Sequence, residues 1–424
     1  MGTAAPMIRR PRLDDSLALL AKGYAWLPDR RRAVGRDTVR TRLMLTRPVL
    51  GVEGPAAARF VYDEAHVRRS GALPEPVVST LFGHGAVHTL DGEAHRVRKA
   101  MFVQLLMGAG IGDLVDRVGA AWDDAARRWA GEQQVVLFDE AARVLTRGVC
   151  DWAAVPVTEE ELPALARDLT TLVDGFATGA PRHWRARRVR QRREAWLSGV
   201  VEEVRSGTRT APAGSVLDVV AHHRDSEGEL LEPRVAAVEL LNVVRPTVAV
   251  CWFVAFAAHA LHRWPAHRDR LCTGDRAFAT AFAHEVRRYY PFAPFIGGRS
   301  PQEVEWDGER VPAGSMVLLD LWGQDHDPDL FPEPFAFRPE RFLDPTGDRV
   351  REIGAWELVP QGAGDPRTGH RCPGEDLTVQ LLSLLVVRLA RLEYTLPEQD
   401  LTISLRRIPA RPASRVVMTG VRPG

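Results

Sequence analysis

The chain has 424 residues, 45% of them hydrophobic and 26% charged, with a formal net charge of +1. That balance excludes a strongly basic nucleic-acid or membrane-surface patch as the organising feature, and it is typical of a globular chain with a sizeable core. Cys150, Cys251, Cys272 and Cys372 lie far apart with no CxxC pair. This argues against zinc and a disulfide framework, and for a reducing, cytoplasmic setting.

Residues 1–14 hold no apolar run of signal-peptide type, so no membrane span is expected ahead of the globular part. Residues 15–23 predict a short amphipathic helix, and the segments 41–45 and 51–62 predict strands. Pro74 and Pro76 mark a loop into Leu81-Phe82-Gly83 and on to His88. Asp91 is placed to cap a helix running through His95 and Lys99 to Leu106. Helical patterning dominates 111–206, with breaks near Gly131 and Pro156. Within it, Arg182, Arg185, Arg187, Arg188, Arg190, Arg192 and Arg193 read either as a solvated helix face or as a basic lining near a substrate entrance.

Residues 206–215, rich in Gly, Thr, Pro and Ser, read as a surface loop. Pro233 fits the first turn of a long helix over 232–264. Its most apolar tract, 247–258, is well short of the roughly 20 residues a bilayer span needs, so it reads as a buried core helix. Helix resumes over 275–290, and residues 304–319 alternate around Asp307-Gly308, a hairpin signature. A proline-rich connection leads to Cys372, a helix over 376–392 and strands ending near Val417. These elements predict a mainly α fold. One large helical domain spans 1–424, with small β-sheets mainly at 35–70, 300–320 and 393–420.

Chemistry concentrates in residues 360–375, where Gly362, Gly364, Gly369 and Gly374 surround Cys372. The cysteine precedes a helix whose free N–H groups and macrodipole favour a thiolate, and His370 and Arg371 add positive charge. The glycines permit close backbone approach to a large flat group. Read alone, the loop also fits a buried structural cysteine.

Two further motifs decide between these readings. Glu285 and Arg288 form an ExxR pair on one helix face, and Arg341 belongs to Pro339-Glu340-Arg341-Phe342. ExxR, PERF and a glycine-rich CxG loop, in that order, resemble the cytochrome P-450 family over nearly the whole chain. The resemblance implies the cytochrome P-450 fold, with haem b between the long central helix and the cysteine helix. It implies Cys372 as axial thiolate ligand to iron, and Glu285, Arg288 and Arg341 as a structural ion network.

There are departures from the common family pattern. Asp365 stands where an aromatic residue is usual, seven before the cysteine. The central helix reads Arg245-Pro246 in place of an acid-alcohol pair. A proline inside a helix costs about 3 kcal/mol, and a buried unpaired guanidinium is expensive too. Arg245-Pro246, Leu81-Phe82-Gly83 and the cysteine loop together resemble the fatty-acid peroxygenase branch. That resemblance implies a long-chain fatty acid held by Arg245, hydrogen peroxide as oxidant, and reaction at Cα or Cβ. The products would be hydroxy acids or, with loss of carbon dioxide, terminal alkenes.

By the same resemblance His88 bears on which product forms, and Phe82 packs on the acyl chain or on His88. Arg69, Lys99, Tyr290 and His370, with His95 beside them, would face the haem propionates. Phe292 through Ile296 and residues 173–176 would either line the acyl channel or pack in the core. The catalytic set so implied is Arg245, Pro246 and His88. Rival readings are a monooxygenase fed by ferredoxin or flavodoxin, a hydroperoxide isomerase and a non-catalytic haem-binding sensor.

Overall fold

The computed structural model describes residues 14–44, 47–176 and 180–423. Long helices dominate: Gly92–Leu106, Ile111–Trp129, Leu137–Ala153, Leu162–Asp174, Ala180–Arg205, Pro233–Val248, Val250–Arg263, Arg276–Tyr289 and Glu375–Arg391. The central helix, Pro233–Arg263, is mostly apolar and buried along most of its length, so other elements surround it. It packs on Leu137–Ala153 and Ala180–Arg205 through its first half, and on Glu375–Arg391 through its second. One apolar cluster runs from Leu81 to Val421 through this centre.

The central helix is interrupted. Ala249 separates Pro233–Val248 from Val250–Arg263, three residues after Pro246. Proline offers no N–H to the carbonyl four residues back and crowds it, which weakens this stretch of the ladder. The run Pro233–Arg263 is longer than its most apolar tract implied, and by length and hydropathy it could cross a bilayer. Within the fold, 94% of its most apolar window is buried.

Four strands form the larger sheet in the order Val39–Leu43, Arg47–Val52, Met316–Asp320, Phe295–Arg299. The middle pair is parallel and the outer pairs antiparallel. Asp307 and Gly308 both adopt positive φ, 52° and 70°, as a two-residue hairpin turn between Val304–Trp306 and Glu309–Val311 requires. Leu45, the end of one expected strand, lies outside the described residues.

The expected strand over 51–62 needs correction. The strand ends at Val52, and Pro55–Tyr62 is a helix with proline in its first turn. Pro55 supplies a preset φ, and three alanines follow it. Asp91 does flank Gly92–Leu106, but its carboxylate does not cap that helix. It accepts instead from the backbone N–H groups of Arg69 and Ser70, at 2.7 and 2.8 Å.

Candidate active site

The loop that carries Cys372 is held by an ionic frame behind it. Buried Arg287 donates to Gln361 Oε1 at 2.9 Å and pairs with Glu375. Arg371 reaches the other oxygen of Glu375 at 2.7 Å and the Gly364 carbonyl at 3.1 Å. The Cys372 N–H donates to the Gln361 carbonyl at 3.1 Å, and the Gln361 amide lies 3.7 Å from Sγ. Gly362 adopts φ 100°, and a Cβ there would fall 2.3 Å from the Tyr62 hydroxyl, so only glycine fits.

The expectation of a thiol already acidified by its helix is corrected. Burial pushes the Cys372 pKa up, and Glu375 in the first helical turn pushes the same way. The Gly374 backbone, Lys99 and Gln361 oppose this without prevailing. A bound metal ion would itself remove the proton.

Cationic and neutral nitrogen groups gather on one side of this loop. Lys99 is buried and donates to the Arg371 carbonyl; burial presses its pKa down to about 8. Arg69 is buried with Nε and Nη1 unpartnered, while Nη2 donates weakly to the Val61 carbonyl at 3.3 Å. His370 stacks on His95 at 3.9 Å, and its Nε2 stands 3.4 Å from Glu64 and 3.7 Å from Asp91. Burial and neighbouring cations press His370 to about 2 and His95 to about 4, so both are neutral at pH 7. Orphaned buried donors beside a cysteine fit a flat, dianionic group such as haem with its two propionates. Arg69, Lys99 and His370 would face those carboxylates, and Cys372 the iron.

Tyr290 was expected in that group, but the structure places it elsewhere. Its ring stacks on Phe256 at 4.7 Å and its hydroxyl hydrogen-bonds His259 at 2.7 Å. It lines a separate cleft of about 730 Å³ with His259, Trp322 and His326. Phe292 packs on Phe253 of the central helix at 5.0 Å.

The central helix brings the second group together. Arg245 is buried, its Nη2 donating to Asn242 Oδ1 at 3.3 Å and its Nε left without a partner. Among the described residues no carboxylate pairs with it. Burial, and then Arg190, lower its pKa to about 9, leaving it cationic at pH 7. Its guanidinium lies 6.0 Å over the Phe82 ring, and the Phe82 ring in turn lies 4.2 Å from that of His88, tilted by 31°. Burial and then Arg245 press His88 down to about 3, and its Nδ1 has no partner. Arg245 is thus brought beside Phe82 and His88, from which it is far removed in sequence.

Phe82 is positioned by Arg190, one of the arginines read above as a solvated face or an entrance lining. It ends a single-turn π-helix, Val78–Phe82, a geometry common at functional sites. Arg190 donates to the carbonyls of Leu81 and Phe82 at 2.8 and 2.7 Å and pairs with buried Glu194. Gly83 lies so close that a Cβ would meet Arg190 and Val238 at 2.3 and 2.8 Å. Arg190 is thus a buried clamp and no part of a solvated face. Its helical phase toward the core was the available signal: Ala186 and Val189 share its burial.

Glu285, Arg288 and Arg341 converge away from this pocket. Glu285 and Arg288 are both fully buried and bound at 2.7 and 2.8 Å, with Arg341 at 3.2 Å from the same carboxylate. Arg288 also donates to the carbonyls of Asp325 and Pro334. These bonds tie the ExxR helix to the PERF segment.

Known proteins are similar to this chain in sequence and fold. A family model described as cytochrome P-450 matches residues 272–408. The structure is similar to cytochrome P-450SP alpha, 38% identical over 97% of this chain and 99% of that one, with a TM-score of 0.92. Cytochrome P-450EX alpha, solved with myristic acid, is 34% identical over 100% of both chains, also at 0.92. A variant of cytochrome P-450 OleT in complex with arachidonic acid is 33% identical over 99% of both, at 0.93. Methyltetrahydroprotoberberine 14-monooxygenase of Papaver somniferum is 34% identical over 130 residues, and this chain spans 24% of that protein's length. With the cysteine loop, the ExxR–PERF network and full-length similarity all in place, the chain belongs to the cytochrome P-450 family, in the branch that holds P-450SP alpha, P-450EX alpha and OleT.

Proposed function

We propose that this protein is a haem-thiolate peroxygenase that uses hydrogen peroxide to oxidise long-chain fatty acids at Cα or Cβ. The observation that carries this is Arg245, a buried cation with no carboxylate partner among the described residues. An incoming carboxylate relieves the desolvation cost of that guanidinium through charge-assisted hydrogen bonds. The fatty acids in P-450EX alpha and OleT support the same substrate class.

Bound haem b, ligated by Cys372, supplies the oxidising chemistry when peroxide is present. The chain's residues hold the reactant. Arg245 anchors the carboxylate, which then stands where it serves as acid-base for cleavage of the peroxide O–O bond. Anchoring leaves only Cα and Cβ within reach. Phe82 and Phe292 border the acyl chain, and neutral His88 offers one ring nitrogen as a hydrogen-bond partner beside the carboxylate. Pro246 loosens the backbone next to Arg245. Hydroxylation consumes one peroxide and yields one hydroxy acid and one water. Decarboxylation consumes one peroxide and yields a terminal alkene, carbon dioxide and two waters. Four free cysteines support a reducing, cytoplasmic setting.

The test is to supply purified protein with saturated fatty acids and peroxide, with no reductase, and identify products by mass spectrometry. Hydroxy acids or alkenes are expected. Turnover only with a ferredoxin or flavodoxin system would establish the monooxygenase reading instead. Product from a fatty-acid hydroperoxide alone would establish an isomerase, and no product from any acyl substrate would favour a sensor.

A further inference from the structure

Arg245 and His88 come from separate parts of the chain, and something must fix their separation. The connection runs through Glu239, two turns before Arg245 on the central helix. Glu239 is fully buried and completely engaged. Its Oε1 accepts from the Val87 N–H at 2.8 Å and from Arg98 Nη1 at 2.8 Å. Its Oε2 accepts from Asn242 Nδ2 at 3.0 Å.

Each bond locks one side of the site. Val87 is the first residue of the 3-10 turn Val87–Thr89 that carries His88, and its N–H would otherwise be orphaned. Arg98 also reaches the Gly85 carbonyl, at 3.4 Å, just ahead of that turn. Asn242 Nδ2 donates to the Phe82 carbonyl at 3.0 Å as well as to Glu239. With its amide nitrogen so occupied, Asn242 turns Oδ1 toward Arg245. One carboxylate therefore holds the His88 turn directly, and Arg245 through Asn242.

We propose that Glu239 is a positioning residue that fixes the His88 turn and Arg245 at one separation, and so selects among attack at Cα, attack at Cβ and loss of the carboxyl group. Cα and Cβ are about 1.5 Å apart, so a small displacement of the anchored carboxylate changes which carbon is in reach. The inference rests on the peroxygenase reading and adds to it a residue that touches neither substrate nor cofactor.

Three variants of the haem-loaded enzyme test it. Glu239→Gln keeps the volume but removes the charge. Glu239→Asp keeps the charge for Arg98 but is too short to span Val87 and Asn242 together. The double variant Arg98→Met with Glu239→Leu removes both charges together, so neither is left buried and unpaired, and takes the acceptor away from the Val87 N–H and from Asn242. Haem content, the fatty-acid Kd from the haem absorption change, kcat with peroxide and product ratios are measured for each.

The expected result is a Kd near the wild-type value, because Arg245 keeps its charge. Turnover per bound haem falls about 10- to 100-fold and the α, β and alkene ratios shift. A merely structural role would lower haem content or Tm and leave the ratios of the surviving holoenzyme unchanged. Wild-type ratios and kcat in Glu239→Asp and in the double variant overturn the proposal, even if Glu239→Gln does not fold. A wild-type enzyme that turns over no fatty acid overturns the peroxygenase reading itself, and the inference falls with it.

Discussion

At the scale of single residues, Arg245 and His88 divide the work between holding and steering. Arg245→Ala removes a buried cation that has no carboxylate partner among the described residues, while leaving Cys372, Arg69 and Lys99 in place. Haem content is expected to be retained and peroxide-driven fatty-acid oxidation to fall at least about 100-fold, read by product mass spectrometry. Undiminished oxidation would remove carboxylate assistance from the mechanism. His88 is held neutral by burial and by Arg245, with Nδ1 free. Replacement by Gln keeps a polar group but changes its reach. The alkene-to-hydroxy-acid ratio is expected to drop, and an unchanged ratio would take His88 out of the chemistry.

Elements set the accuracy with which those residues meet. The π-helix Val78–Phe82 is clamped by Arg190 from one helix and by Asn242 from another, so Phe82 has little freedom. Pro246 and the interruption at Ala249 loosen the central helix beside Arg245. Pro246→Ala supplies the N–H that the Asn242 carbonyl lacks. Melting temperature is expected to rise, by the equivalent of about 2 kcal/mol, while turnover per haem declines as Arg245 is re-aimed. A lower melting temperature would show that the proline is compensated elsewhere. Glu285→Gln acts on a different element contact. It leaves Arg288 buried without its counter-charge, at a cost of about 3–5 kcal/mol, and detachment of the PERF segment with poor haem retention is the expected readout.

Across the whole molecule, buried histidines make stability depend on pH. Burial presses His284 and His326 down to about 3 and His259 to about 4, each from an ordinary value of 6.5. The unfolded chain therefore takes up protons below about pH 6.5 that the folded chain refuses. The stability these neutral rings contribute is complete above that value and is lost progressively as pH falls toward 4 and 3. Glu53, pushed up to about 8 by burial, runs in the opposite sense between pH 4.5 and 8. Asp151, Glu239, Asp320 and Asp325 are raised by burial as well, but the depressed histidines, which also include His88, His95, His223, His267 and His370, outnumber the raised carboxyls, so the holoenzyme's Tm is expected to decline from pH 6.5 to 4. A flat profile over that range would contradict the assignment.

The sequence by itself determined the family and the chemistry class. Helix periodicity, ExxR, PERF and the cysteine loop are local or ordered patterns, and each survives without knowledge of contacts. Asp307-Gly308 was legible for the same reason, since a two-residue turn with both φ positive selects residues that tolerate it. Residues 51–62 were misread because alternation outweighed Pro55 at a helix start. What only the tertiary structure decided is how Arg190 and Glu239 are partnered. Arg190 sits in an arginine-rich run that reads either as solvated or as an entrance lining, and Glu239 in a helix that reads as apolar. Their roles depend on partners more than a hundred residues away, Phe82 in one case and Val87 in the other. The electrostatics of Cys372 reversed for a related reason: burial, which no local pattern reports, outweighs the helix terminus that sequence does report.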